Sequence, residues 1–238
     1  MAYNLQGIIR KTTTNMSTEF DRLAYSTQNF ANVNTNGYKA VRFENIIDAD
    51  GSVHGIERVD TKVGDYLITN NPLDIALQGA GYIPVTTPSG EIRYTRDGSF
   101  MKNKDGYLIT KTGDLVGSGI QISAECVKVE IRPNGDVYTY KTLIDKPDYK
   151  GTIPVVQFEN PEALKDVGAS EFVATENSGK MKLIEDHQYI KQHGIERANV
   201  DVISEIYTVS RINASILASS SLMKAINTMY DQAINLTQ

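Results

Sequence analysis

The 238-residue chain keeps its helix breakers away from both ends. All seven prolines lie between Pro72 and Pro161, and sixteen of the eighteen glycines lie between Gly51 and Gly194. Proline and glycine are the residues a helix interior tolerates least. Their distribution therefore predicts two terminal helices around a breaker-rich middle. Charge follows the same partition. Residues 1–38 carry five charged side chains (Arg10, Lys11, Glu19, Asp21, Arg22) and residues 198–238 another five (Asp201, Glu205, Arg211, Lys224, Asp231), out of 53 in all. A solvated helix face is ordinarily rich in Lys and Glu. Here the polar positions are Thr12, Thr13, Thr14 and Asn15 at one end, and Ser215, Ser219, Ser220, Ser221 and Asn227 at the other. Uncharged, mostly small polar faces suit helices packed on several sides by other helices.

Periodicity agrees. Ile206, Val209, Ile212, Ile216, Met223 and Ile226 recur at helical spacing, with Ser219 or Ser220 filling the gap. A helix is expected from Val200 to about Leu236. Leu5, Ile8, Ile9, Met16, Phe20, Leu23 and Phe30 give a weaker stripe in the first segment, stopped at Asn34-Thr35-Asn36-Gly37. The two helices are expected to pair with each other, parallel or antiparallel, or with copies from other subunits.

The middle reads as antiparallel β. Val127, Val129 and Ile131 alternate with Lys128 and Glu130, and Asp97-Gly98, Asp105-Gly106, Thr112-Gly113 and Asn134-Gly135 mark turns. Strands are expected over 82–87, 91–96, 107–110, 116–122, 126–131, 136–141 and 153–158. Tyr138 and Tyr140 share a face, as cross-strand packing residues do. The expected fold class is α+β: long terminal helices, a coiled-coil-like pair, flanking a central antiparallel all-β domain. The expected division is 1–38 with 198–238 as one helical domain and 39–197 as the β domain.

Composition narrows function by exclusion. A net charge of -5 argues against a nucleic-acid partner, which calls for a basic stripe. No run approaches eighteen apolar residues, so no membrane insertion is expected. Met1 to Met16 lacks the apolar block and small-residue cleavage site of a secretory signal. His54, His187 and His193 have no metal-ligand spacing. Asp48-Ala-Asp50-Gly51 and Asn103-Lys-Asp105-Gly106 lack the first acidic ligand of a calcium loop and read as turns. Gly79-Ala-Gly81 lacks the third glycine of a dinucleotide site. Cys126 reads as a buried, inert thiol at the start of a strand. No catalytic residue, cofactor or metal site is expected.

Two stretches are more specific. Asn29-Phe-Ala-Asn32-Val-Asn34-Thr35-Asn36-Gly37-Tyr38-Lys39 resembles the signature that closes the first helix of bacterial flagellar rod and hook axial proteins. Leu73-Asp-Ile-Ala-Leu-Gln-Gly79-Ala-Gly81-Tyr82, followed by Tyr94-Thr-Arg96-Asp97-Gly98-Ser-Phe100 and Asn103-Lys-Asp-Gly106, is similar to the start of the β domain in basal-body rod proteins of the FlgF/FlgG type. Ala198-Asn199-Val200…Glu205…Arg211 matches the C-terminal signature loosely. The sequence departs from the pattern at Gln28, Phe30, Ile83 and Arg211-Ile-Asn-Ala214.

The resemblance implies a non-enzymatic rod subunit of the bacterial flagellar basal body, periplasmic where an outer membrane is present. Such subunits polymerise helically, with both terminal helices forming the inner tube around the export channel. The implied partners are other copies of the chain, adjacent rod and hook proteins, and the flagellar type III export apparatus. The implied assembly residues are Asn29, Asn32, Asn34, Thr35, Gly37 and Tyr38 at the signature. On the last helix they are Ile206, Val209, Ile212, Ile216, Met223 and Ile226. The β-domain motif contributes Gly79, Gly81, Tyr94, Arg96, Asp97, Gly98 and Phe100. The rival class is a secreted or surface β-domain binding module oligomerised by its terminal helices. Its simple coiled coil calls for charged flanking positions, which this chain lacks. An enzyme would need paired carboxylates, for which only Glu130, Asp136 and Asp145 offer themselves.

Overall fold

The computed structural model describes residues 5–49, 51–142, 144, 146–185 and 189–235. Asp50, Asp145, His187 and Leu236, named above, lie outside that set. Helix α1 runs Leu5–Ala31 and α2 runs Val202–Asn235, with short strands between them. The chain is an α+β protein, two terminal helices flanking a central antiparallel all-β region. Among the described residues, no helix is long and apolar enough to cross a membrane.

Two compact units divide the chain. The first holds Met1–Ala31, Val41–Arg58 and Asp201–Gln238; the second holds Asn32–Ala40 and Val59–Val200. The boundaries differ from the expected 1–38/39–197/198–238: residues 32–38 and 198–200 fall in the second unit, and one hairpin, which sequence left unassigned, falls in the first. Strands β1 (Val41–Ile47) and β2 (Val53–Val59) pair in a two-stranded sheet, and all but its last residue belongs with the helices. The reason is local. Tyr25 of α1 stacks on Phe43 at 5.3 Å, its hydroxyl donates to Glu57, and the Thr18 hydroxyl lies 3.3 Å from the Val53 carbonyl oxygen.

Within the first unit the helices are antiparallel, because Ser26 meets Glu205 while Glu19 meets Ser215. The covered positions of α2 include Glu205, Val209, Ile212, Ile216, Ser219, Met223 and Ile226, with Thr208, Ser215 and Ser220 half-buried beside them. The alternating four- and three-residue steps from Glu205 to Ile226 are those of a coiled-coil seam. Asp201 starts the helix: its carboxylate accepts from the Ile203 and Ser204 amides at 3.0 and 3.3 Å. The Ser204 hydroxyl at 2.7 Å is the main cause that holds this carboxyl below the usual range.

The second unit is built on a seven-stranded sheet. Its order is Lys165–Gly168, Glu171–Val173, Ile92–Thr95, Ile83–Thr86, Leu115–Val116, Leu108–Ile109, Met101–Lys102. A three-stranded sheet (Lys128–Ile131, Asp136–Tyr140, Asp148–Thr152) and three strand pairs complete it. Alternation along one strand feeds two apolar clusters. Ile83 and Val85 join Phe100, Leu108, Val137 and Ile153, while Tyr82 joins Tyr94, Phe158 and Phe172.

Several expected strands are shorter in the structure. The run 116–122 keeps strand geometry only at Leu115–Val116, since Gly117 and Gly119 take φ of 58° and 84° and turn the chain. Pro154, which has no N–H to donate, leaves 153–158 with only Val156–Gln157. Lys128 rather than Cys126 opens its strand, and Cys126 is half-buried with its Sγ 3.1 Å from the Lys128 carbonyl oxygen. Tyr138 packs across the ladder on Tyr149 at 5.6 Å.

Candidate functional site

The motif residues gather into two polar knots, one in each unit. In the first unit the knot is centred on Asn29, which is 2% exposed. Its side-chain amide imitates a strand: Nδ2 donates to the Val41 carbonyl at 3.0 Å and Oδ1 accepts from the Val41 amide at 2.9 Å. The same Nδ2 donates to Glu205 at 2.7 Å, and the Ser26 hydroxyl donates to the other Glu205 oxygen. One side chain thus fixes the end of α1, the start of β1 and the start of α2. A half-buried carboxylate is tolerable here because both oxygens are hydrogen-bonded.

The second unit holds the rest of the signature. Asn32 accepts from the Thr35 amide at its carbonyl (2.9 Å) and from the Thr35 hydroxyl at Oδ1 (3.0 Å), closing a turn. Gly37 follows at φ +65°, and a Cβ there would lie 2.3 Å from the Asp97 amide nitrogen. Positive φ and close backbone approach both call for glycine. The Gly37 amide donates to the Glu196 carbonyl at 2.7 Å, and Tyr38 is buried. Asn34 plays a lesser part, its Oδ1 lying 3.4 Å from the Arg197 guanidinium.

Beneath this loop lies an ion cluster. Lys39, Arg96 and Glu196 are each at most 2% exposed. Glu196 accepts from Lys39 Nζ at 2.6 Å, from the Gly64 amide at 2.8 Å and from Arg96 Nε at 2.8 Å. Arg96 spends its other donors on the carbonyls of Leu77, Gly79 and Gly81. Lys39 also donates to the Lys62 carbonyl. Burial pushes the Lys39 ammonium below the ordinary lysine range, against the attraction of Glu196. Burial also pushes the neighbouring Tyr82 hydroxyl up to about 12. Asn199 fastens the exit of the unit: Oδ1 accepts from the Ala40 amide at 2.7 Å, and Nδ2 donates to the Asp60 and Lys62 carbonyls, both at 2.9 Å.

The β-domain motif is therefore interior. Gly79 and Gly81 present carbonyls to Arg96, and Gly98 brings its carbonyl to the Ile75 amide at 3.0 Å. Asp97 holds the Ser99 amide at 2.9 Å, Phe100 fills the larger apolar cluster, and Tyr94 packs edge-on to Phe158 in the smaller. On α2, Ile212 and Ile226 are buried, Val209, Ile216 and Met223 are half-buried, and Ile206 is 53% exposed.

Sequence reasoning gave no role to Lys39, Glu196, Asn199 or Ser170. Lys39 and Asn199 stood inside quoted motifs, but nothing in Gly194-Ile195-Glu196 announces an inward carboxylate. The carboxylates considered for hydrolysis do other work. Glu130 accepts from the Tyr140 hydroxyl at 2.8 Å, which lowers its pKa, and Asp136 accepts from Thr152. His54 sits 3.0 Å from the Asp48 carboxylate, and His193 occupies a turn at φ 63°. Among the described residues, no three His, Cys, Asp or Glu side chains gather as a metal site would require.

Residues 76–139 match the D1 domain of the flagellar hook proteins FlgE/F/G. The chain is 33% identical to the flagellar basal-body rod protein FlgG of Caulobacter vibrioides over 75% of its own length and 79% of the relative's. It is 28% identical to FlgG of Agrobacterium fabrum over 81% and 85%. To the rod protein FlgF of Mesorhizobium japonicum it is 26% identical, over 90% of each.

Proposed function

Since the chain belongs to the flagellar basal-body rod protein family, we propose that it polymerises helically through α1 and α2 into the axial shaft and export channel of the basal body. In this reading residues 1–38 and 198–238 form the inner tube and 39–197 the outer domain. Its partners are further copies of itself, the adjacent rod and hook proteins, and the type III export apparatus that delivers it. It catalyses nothing.

One observation carries the reading. Every described apolar side chain of α1 is half-buried or exposed. On α2, Ile203, Ile206, Tyr207, Leu217, Leu222 and Met229 are between 45% and 69% exposed. Exposed apolar surface on this scale marks a site of association, and the scarcity of charge lets neighbours cover these helices without burying unpaired ions. The signature residues Asn29, Asn32, Asn34, Thr35, Gly37 and Tyr38 set how the chain leaves the helix, and so how helix and outer domain are presented to neighbours.

The test is mass spectrometry of purified hook–basal bodies from the source bacterium, with and without the gene. Stoichiometric presence, with loss of hook and filament on deletion, is the expected result. Intact basal bodies lacking the chain would overturn the proposal.

A further inference from the structure

The hairpin joining Lys165–Gly168 to Glu171–Val173 turns at Ala169 and Ser170, with φ of 54° and 58°. Both-positive φ is the pattern of a type I′ turn, which strongly favours Asn-Gly, because a side chain in the left-handed region is strained. Among the described residues glycine occupies twelve other positive-φ positions, from Gly37 to Gly179, yet the chain keeps Ala-Ser here. Strained non-glycine residues persist where surrounding contacts hold them, and Ser170 has such contacts. It is 4% exposed, and its hydroxyl donates to the Asn36 carbonyl, inside the signature loop, at 2.9 Å. Its own carbonyl accepts from the buried Thr95 hydroxyl at 2.8 Å, and Thr95 Oγ1 accepts in turn from the Asp97 amide at 3.0 Å. Asp97 is the residue on whose amide Gly37 is seated.

We infer that Ser170 is a positioning residue for assembly: a latch that holds the 32–38 loop shut on the backbone of residues 95–97. Glycine at 170 would suit the turn better and would forfeit the only atom that reaches Asn36 from it. This rests on the proposal that the signature loop governs assembly, and it adds a residue about 130 positions away in sequence to that loop's machinery.

Ser170→Gly separates the latch from the turn, since it relieves strain and so guards against misfolding, while removing the hydroxyl. In the full chain, amide-resolved hydrogen exchange at Gly37 should quicken about fivefold, the effect of one lost hydrogen bond, with the Ile83–Thr86 amides unchanged and rod assembly in cells reduced. Ala169→Gly, which relieves strain and keeps the hydroxyl, should leave Gly37 exchange and assembly as in the wild type. Unchanged Gly37 exchange in Ser170→Gly, or faster exchange in Ala169→Gly, overturns the latch. Faster Gly37 exchange with undiminished rods supports the latch and overturns the loop's role in assembly instead.

Discussion

The first helix of one unit and the sheets of the other differ in the side chains they bury. The second unit encloses two apolar clusters, from Ile75 to Ile190 and from Val59 to Phe172, and buries Lys39, Arg96 and Glu196 as one hydrogen-bonded ion group. In the first, the buried residues of α1 are Thr12, Thr18, Glu19, Ser26 and Asn29, all polar, while Met16, Leu23 and Phe30 are only half-covered. Thr12, Glu19 and Ser26 stand seven residues apart and fill one line of the seam, so polarity there is systematic. One oxygen of Glu19 has no hydrogen-bond partner among the described residues. A helix pair organised this way draws little stability from its own burial. The second unit encloses an apolar core of its own, while the first leaves the apolar side chains of α1 half-covered or exposed.

The comparison breaks most directly at Glu196. Glu196→Gln leaves Lys39 and Arg96 buried with only neutral acceptors, and removing one member of a buried ion group costs about 3–5 kcal/mol. Chemical unfolding of the full chain, followed by near-ultraviolet circular dichroism, should show that loss. A cost below about 1 kcal/mol would mean that the cluster behaves like a surface pair and that the second unit owes its stability to apolar burial alone.

Alkaline titration sharpens the contrast, because each unit has a tyrosine pushed up to about 12 for a different reason. For Tyr82 the main cause is burial; for Tyr25 of α1 it is the hydrogen bond to Glu57. A folded pKa of about 12 against an ordinary 10.0 means stabilisation complete below pH 10 and lost as pH rises towards 12. For Tyr82 that loss reaches about 2–3 kcal/mol. Tyr82→Phe should flatten the alkaline fall in melting temperature. Glu57→Gln should move only the Tyr25 titration, read by ultraviolet absorbance near 295 nm; a shift in Tyr82 as well would merge the two causes.

Asn29→Ala tests the polar knot of the first unit. Losing its bonds to Val41 and Glu205 should cost about 1–3 kcal/mol locally. Faster hydrogen exchange at the Val41 amide, with the melting temperature of the second unit unmoved, is the expected outcome. A uniform fall across the chain would show that the units do not melt separately.

Much of this was legible in the sequence, and what escaped did so for physical reasons. The scarcity of Gly and the absence of Pro at both ends located α1 and α2 to within a few residues, because breakers act locally. Asn29, Gly37 and Arg96 were singled out by motif, and all three prove to be tightly held. The β1/β2 hairpin escaped because Val41-Arg-Phe-Glu-Asn-Ile-Ile ends in two adjacent isoleucines, which blurs the alternation of a one-sided strand. Glu196 and Ser170 escaped for a different reason. Their partners are 157 and 134 residues away, and a lone sequence holds no record of contacts at such separation.

The smallest expected effect on stability is the most informative about assembly. Ile206 lies on α2 and is 53% exposed, one residue beyond the Glu205 position of the antiparallel seam. Replacing it with Ser removes apolar surface that the subunit itself scarcely covers, so unfolding should change by less than about 0.5 kcal/mol. Ile212, a little under two turns further on and fully buried, offers the control: Ile212→Ala should loosen the helix pair as well as the polymer. If polymer contacts use the exposed face, Ile206→Ser yields a normally folded subunit that fails to build rods. Normal rods from Ile206→Ser would remove that face from the interface, and the uncovered side of α1, marked by Phe20, would be the next to test.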